Sequence, residues 1–170
     1  AWFSSFRHDN PELWRKTWVF HVTLLVILVG HLRLMFAWTD SLLGVGMGPE
    51  TIDGLSKWAG GAFGIVALVT CVMLLTRRFV RPRVKEISSG EDFGVLILLL
   101  CILLTGNGLR FLMHYDVGVT RAYFASFFLG SEAPQNPQFL LHFFFVQLLL
   151  MYLPFGKFLH IPGVFYSKAL

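Results

Sequence analysis

The chain has 170 residues, of which 55% are hydrophobic, 16% aromatic and only 14% charged, with a mean hydropathy of +0.65. That balance is too apolar for an ordinary soluble domain; it leaves room for four or five membrane spans with short connections and for no separate soluble domain. The net charge of +4 is read as loop charge answering to membrane topology, and with no interleaved aromatic-basic motif a nucleic-acid partner is excluded.

Residues 1–16 form an amphipathic leader. Its aromatics Trp2, Phe3, Phe6 and Trp14 suit the membrane interface, and Asn10-Pro11-Glu12 is a helix start. The sequence begins with Ala and has no signal-peptide pattern, which reads as a processed chain or a portion of a longer one. A first apolar span follows over residues 17–38, then a Gly-rich loop over 40–57. The second span, 58–76, opens with Ala59, Gly60, Gly61, Ala62 and Gly64, small residues that admit either a neighbouring helix or a flat cofactor.

The basic stretch RRFVRPRVK, with Pro82, reads as a loop, and Ser88 to Asp92 as a new helix start. The third span covers 93–113, a connection covers 115–138, and the fourth span runs 138–160 up to Ile161-Pro162-Gly163. The expected fold is therefore an all-α transmembrane bundle of four spans, one membrane-integral domain over 1–170. Only two cysteines occur, Cys71 and Cys101, both within apolar runs, so iron–sulfur chemistry belongs to a partner.

Orientation follows from the basic residues. Ten lie on the side of the termini and the 77–85 loop, against Arg33, Lys57, Arg110 and Arg121 on the other, which predicts cytoplasmic termini. The first and last spans then run antiparallel. His21 and His160 fall toward the inside, His31 and His142 toward the outside. The spans contain no Asp or Glu, so a hydrophilic ion site lacks its ligands; imidazoles from facing helices in a Phe-, Leu- and Gly-rich interior suit a haem instead. Arg33 and Arg110 are candidate propionate partners at the outer level, where headgroup snorkelling is the competing reading. The spacing is uneven: on ideal helices the rise from His21 to His31 is about 15 Å, and from His142 to His160 about 27 Å. His8 and His114 lack partners at matching depth; His114 is assigned to structure or to the quinone side.

The pattern His-x9-His in FHVTLLVILVGHLRL, the His-x17-His in LHFFFVQLLLMYLPFGKFLH and the ending LPFGKFLHIPGVFYSK resemble the membrane cytochrome b subunits of the nitrate reductase gamma family. The ending is most similar to the branch holding the Dsr complex membrane subunit and the heterodisulfide reductase membrane subunit. The resemblance implies two haem b groups, the inner on His21 and His160 and the outer on His31 and His142. It also implies electron transfer between a quinone or menaquinone pool and a heterodisulfide-reductase-like iron–sulfur subunit on the cytoplasmic side. The setting it implies is a hetero-oligomeric complex in the lipids of a prokaryotic cytoplasmic membrane. Lys57 and His114 are quinone-side candidates. Relatives in the nitrate reductase branch carry a further span ahead of the first. Two alternatives remain: a nitrate reductase gamma-type quinol-oxidising subunit, and a histidine-relay proton or ion transporter, which would want intramembrane carboxylates or inverted repeats.

Overall fold

The computed structural model describes residues 10–35, 49–126 and 134–155, and all the regular structure within them is helical. In chain order the helices are α1 (Pro11–Met35), α2 (Pro49–Val80), α3 (Pro82–Ile87), α4 (Gly90–Phe111), α5 (Val117–Ala125) and α6 (Pro137–Tyr152). Three stretches are long and apolar enough to cross a membrane, Pro11–Arg33, Gly54–Val80 and Gly90–Phe111, and α6 is a shorter apolar helix.

Several expected boundaries move. The leader and the first span are one helix: Asn10 Oδ1 accepts from Leu13 N–H at 3.2 Å, Pro11 opens the first turn, and nothing interrupts the ladder before Met35. Trp14 and Trp18, one turn apart, stack at 6.3 Å on it. The second helix starts at Pro49, so Pro49 to Lys57 is helical rather than loop. It also continues through Arg77 and Arg78, because charge does not end a helix; the missing N–H of Pro82 does, and Pro82 opens α3. The connection after α4 holds an unanticipated helix, α5, whose Asp116 side chain accepts from Gly118 N–H.

The last span departs most. Helix α6 has 16 residues, about 24 Å of rise, and is followed by a turn at Leu153 to Phe155. Pro154 cannot donate to the i−4 carbonyl and its ring crowds it, which stops the ladder there. The predicted continuation to His160 lies outside the described residues, as do His8 and Lys157.

Small side chains decide the packing. Helix α1 packs on α2, α2 on α4 and α4 on α6, with α5 against α1. Ala67 and Cys71 of α2 are wholly buried with Phe20 of α1 and Leu96, Leu99 and Leu103 of α4. The Cys71 thiol donates to Leu96 O at 3.6 Å. Asn107 Nδ2 donates to Gly64 O at 3.2 Å, and a Cβ on residue 64 would sit 2.9 Å from Asn107 Oδ1. The glycine face of α2 thus serves a close helix crossing, resolving the earlier ambiguity in favour of packing. Large side chains such as Trp58 (82% exposed) and Met151 (69%) point outward, as a lipid-facing surface requires and a soluble one would not tolerate in such number.

At the end of the bundle near the α2–α4 turn, Arg78 Nη1 donates to Ser88 Oγ at 2.7 Å, and the Tyr152 hydroxyl donates to Glu91. The Asp92 carboxylate accepts from Ser89 N–H at 2.9 Å and lies 3.8 Å from Arg78, so it caps α4 and favours its positive end. Replacing Asp92 by Ala is expected to cost about 1 kcal/mol, read as a lowered unfolding temperature in detergent.

Candidate functional site

Helices α1 and α6 do not pack backbone against backbone, yet two of their histidines meet across the space between them. The rings of His31 and His142 have centroids 6.3 Å apart and planes inclined by 32°. Proline and asparagine fix the start of α6: Asn136 Oδ1 accepts from Phe139 N–H at 3.0 Å and Pro137 fills the first turn, which sets the register that brings His142 to this level. Antiparallel packing on α4 holds it there. His142 lies against Gly106, where a Cβ would come within 3.0 Å of its Cε1, and Gln138, one turn earlier, lies against Gly108. Gln138 Nε2 donates to Thr105 O at 3.4 Å.

The second shell fixes which nitrogen each ring presents. His31 Nδ1 lies 2.7 Å from Ile27 O, and His21 Nδ1 lies 2.7 Å from Thr17 O. A carbonyl only accepts, so Nδ1 carries the proton and the lone pair is on Nε2. His142 Nδ1 lies 3.0 Å from Thr105 Oγ1, a hydroxyl placed 2.7 Å from Cys101 O. With its own proton directed to that carbonyl, the hydroxyl accepts from His142 Nδ1–H, which again leaves the lone pair on Nε2. All three imidazoles are prepared as metal ligands in the same sense.

The separation also fits. With a metal–imidazole bond of about 2 Å and a ring centroid about 1.2 Å from its nitrogen, two imidazoles on opposite sides of one metal have centroids about 6.4 Å apart. Among the described residues no group of three or more His, Cys, Asp or Glu converges. Within the described residues this pair supplies two imidazole nitrogens, a donor set that fits a metal already held in a macrocycle.

The other predicted residues are distributed around this pair. His21 is exposed on α1, ten residues and about 15 Å of rise from His31; its expected partner His160 lies outside the described residues. Arg110 rests its guanidinium on the Gly60–Gly61 notch of α2, half-buried, and Lys57 lies exposed one turn before that notch. Arg33 is buried and already engaged within the chain. His114 is exposed, with φ at 47°, in the turn that closes α4, where Tyr115 N–H donates to Leu109 O at 3.0 Å. That left-handed conformation disfavours a side chain, so His114→Gly is expected to raise thermal stability by about 1 kcal/mol, measured by melting in detergent. Thr105, Gly106 and Gln138 were not singled out from sequence. The signal was there in TGNG, a break of small and polar residues in the leucine-rich run of α4.

Three helices long and apolar enough to cross a membrane, with a fourth, shorter apolar helix beside them, define an integral-membrane class of protein. Within that class, the nitrate reductase gamma subunit family matches residues 3–167, and the chain belongs to it. It is 28% identical to the Hdr-like menaquinol oxidoreductase cytochrome b-like subunit of Archaeoglobus profundus over 95% of this chain and 50% of that protein. The Archaeoglobus fulgidus protein of the same description is 29% identical, over 95% of this chain and 51% of its own length. The respiratory nitrate reductase 1 gamma chain of Escherichia coli is 29% identical over 86% of this chain and 69% of its own. The chain thus spans about half the length of the two archaeal relatives.

Proposed function

We propose that this chain is the di-haem cytochrome b portion of a membrane oxidoreductase, exchanging electrons between menaquinol and an iron–sulfur partner. The observation that carries the reading is the His31–His142 pair, 6.3 Å apart across two helices that do not otherwise pack. A haem bound between them supplies one-electron transfer. His31 and His142 would hold it through Nε2, their Nδ1 protons being engaged by Ile27 O and Thr105 Oγ1. His142 is half-buried next to Phe143, which stacks on Phe139 at 5.9 Å, while His31 is exposed on α1. His21, about 15 Å of rise from His31 along α1, is assigned to an inner haem b with His160; support for this pair is the sequence pattern alone, in which the first and last spans run in opposite directions.

Topology supplies the rest of the reading. Termini and the basic α2–α4 turn lie on the cytoplasmic side of a prokaryotic membrane, with α6 beginning a fourth crossing. Arg81, Arg83 and Lys85 are exposed there beside Val80 and Ile87, 70% and 84% exposed, a basic and apolar surface suited to an iron–sulfur subunit of a hetero-oligomeric complex. At the opposite end, Arg110 carries no carboxylate partner among the described residues and lies one turn from Lys57 across the glycine notch. These two, with His114, are assigned to the quinone side, and Arg110 with Arg33 to the outer haem propionates. The names of the archaeal relatives favour menaquinol, and the LPFGKFLH ending favours the Dsr-type branch.

The test is a reduced-minus-oxidised visible spectrum of the purified full chain, followed by addition of a menaquinol analogue to the oxidised complex. Bands of b type that appear on quinol addition support the assignment. Bands that appear with dithionite and never with quinol would remove the quinone step while leaving the haem.

A further inference from the structure

Thr105 is the residue to which the proposed ligand His142 owes its orientation. Unlike His21 and His31, whose Nδ1 atoms bond to carbonyls of their own helix, His142 is served from a neighbouring helix. Thr105 Oγ1 stands 3.0 Å from His142 Nδ1, 2.7 Å from Cys101 O and 3.1 Å from Ile102 O. The carbonyls take the hydroxyl proton, so the oxygen is left to accept, and an acceptor at Nδ1 selects the tautomer with its lone pair on Nε2, in a ring whose centroid is 6.3 Å from that of His31. The site is built for this bond. Gly106, adjacent in sequence, clears the space the ring occupies, and Gln138 Nε2 bonds to Thr105 O at 3.4 Å, pinning the same turn of α4 to the same face of α6.

We infer that Thr105 is a positioning residue that fixes the His142 tautomer and sets the electron-donating strength of its imidazole toward the outer haem. The inference rests on the haem reading above. A hydrogen-bond acceptor at Nδ1 makes an imidazole a better donor and stabilises the oxidised metal. Removing it weakens binding and moves the midpoint potential of that haem in the positive direction.

Substitution separates the hydrogen bond from packing. Thr105→Val keeps the branched shape and removes the hydroxyl; Thr105→Ser keeps the hydroxyl and removes a methyl. In the purified complex, haem retention through dilution and redox titration of the outer haem are read for both variants, with His142→Ala as the reference for complete loss. The expected result is an affinity about tenfold lower for Thr105→Val with a positive shift in potential, and wild-type behaviour for Thr105→Ser. Thr105→Val behaving as wild type, or both variants falling together, would overturn the positioning role. Should His142→Ala retain a fully ligated outer haem, the ligand assignment itself fails, a result distinct from either.

Discussion

Replacing His142 by Ala is expected to strip the outer haem from the protein while leaving the inner one, so that haem content falls to about half. In the proposed site one imidazole comes from α1 and one from α6, and no third His, Cys, Asp or Glu converges there among the described residues to substitute. The loss should not be a folding failure. His142 is only partly buried and the core of α1, α2 and α4 is assembled from Phe20, Ala67, Cys71, Leu96, Leu99 and Leu103, none of which touches its role. His31→Ala should therefore give the same spectrum as His142→Ala, and the double variant should be no worse than either, because two ligands of one metal act as a unit. Pyridine haemochrome quantification against protein checks this, with helicity measured alongside.

Gly106→Val is expected to reproduce most of that loss without touching a ligand. The added Cβ stands 3.0 Å from His142 Cε1, and the two methyl groups of valine extend further into the ring. Either the imidazole turns away from His31 or α6 is pushed off α4; overpacking of this kind costs about 1–3 kcal/mol, which disfavours the present geometry by roughly fivefold to more than a hundredfold. The comparison is Gly94→Ala on the same helix, where nothing lies within 4 Å of the new Cβ. That change should leave haem binding intact and add about 0.5–1 kcal/mol to stability through reduced freedom of the unfolded chain. Equal behaviour of the two variants in haem retention would contradict the close approach of α4 to His142.

The membrane class was legible in the sequence because hydropathy reports directly on burial in lipid, and the expected neighbours His31 and His142 do lie close together, whereas the His21–His160 pairing falls partly outside the described residues. Helix boundaries were less legible. Charge at Arg77 and Arg78 looked like a loop, whereas a helix end is set by where the hydrogen-bond ladder fails, here at Pro82. The fourth span was expected to run through Pro154 to residue 160, and the described helix stops at Tyr152 instead. The uneven rise between the histidine pairs rested on one unbroken helix from 142 to 160, so the closure of α6 before Pro154 removes its premise. Thr105 and Gly106 were invisible to pattern reading for another reason. A threonine and a glycine in an apolar run have no meaning until a second helix supplies the ring that they position.

Electron paramagnetic resonance of the oxidised full-length protein in its complex bears most directly on the account, since it reports axial ligation itself. Low-spin ferric signals of bis-imidazole haem are predicted, with one component abolished in both His31→Ala and His142→Ala and retained in Thr105→Ser. A wild-type spectrum with only high-spin haem, or a low-spin spectrum unchanged in both histidine variants, would contradict it.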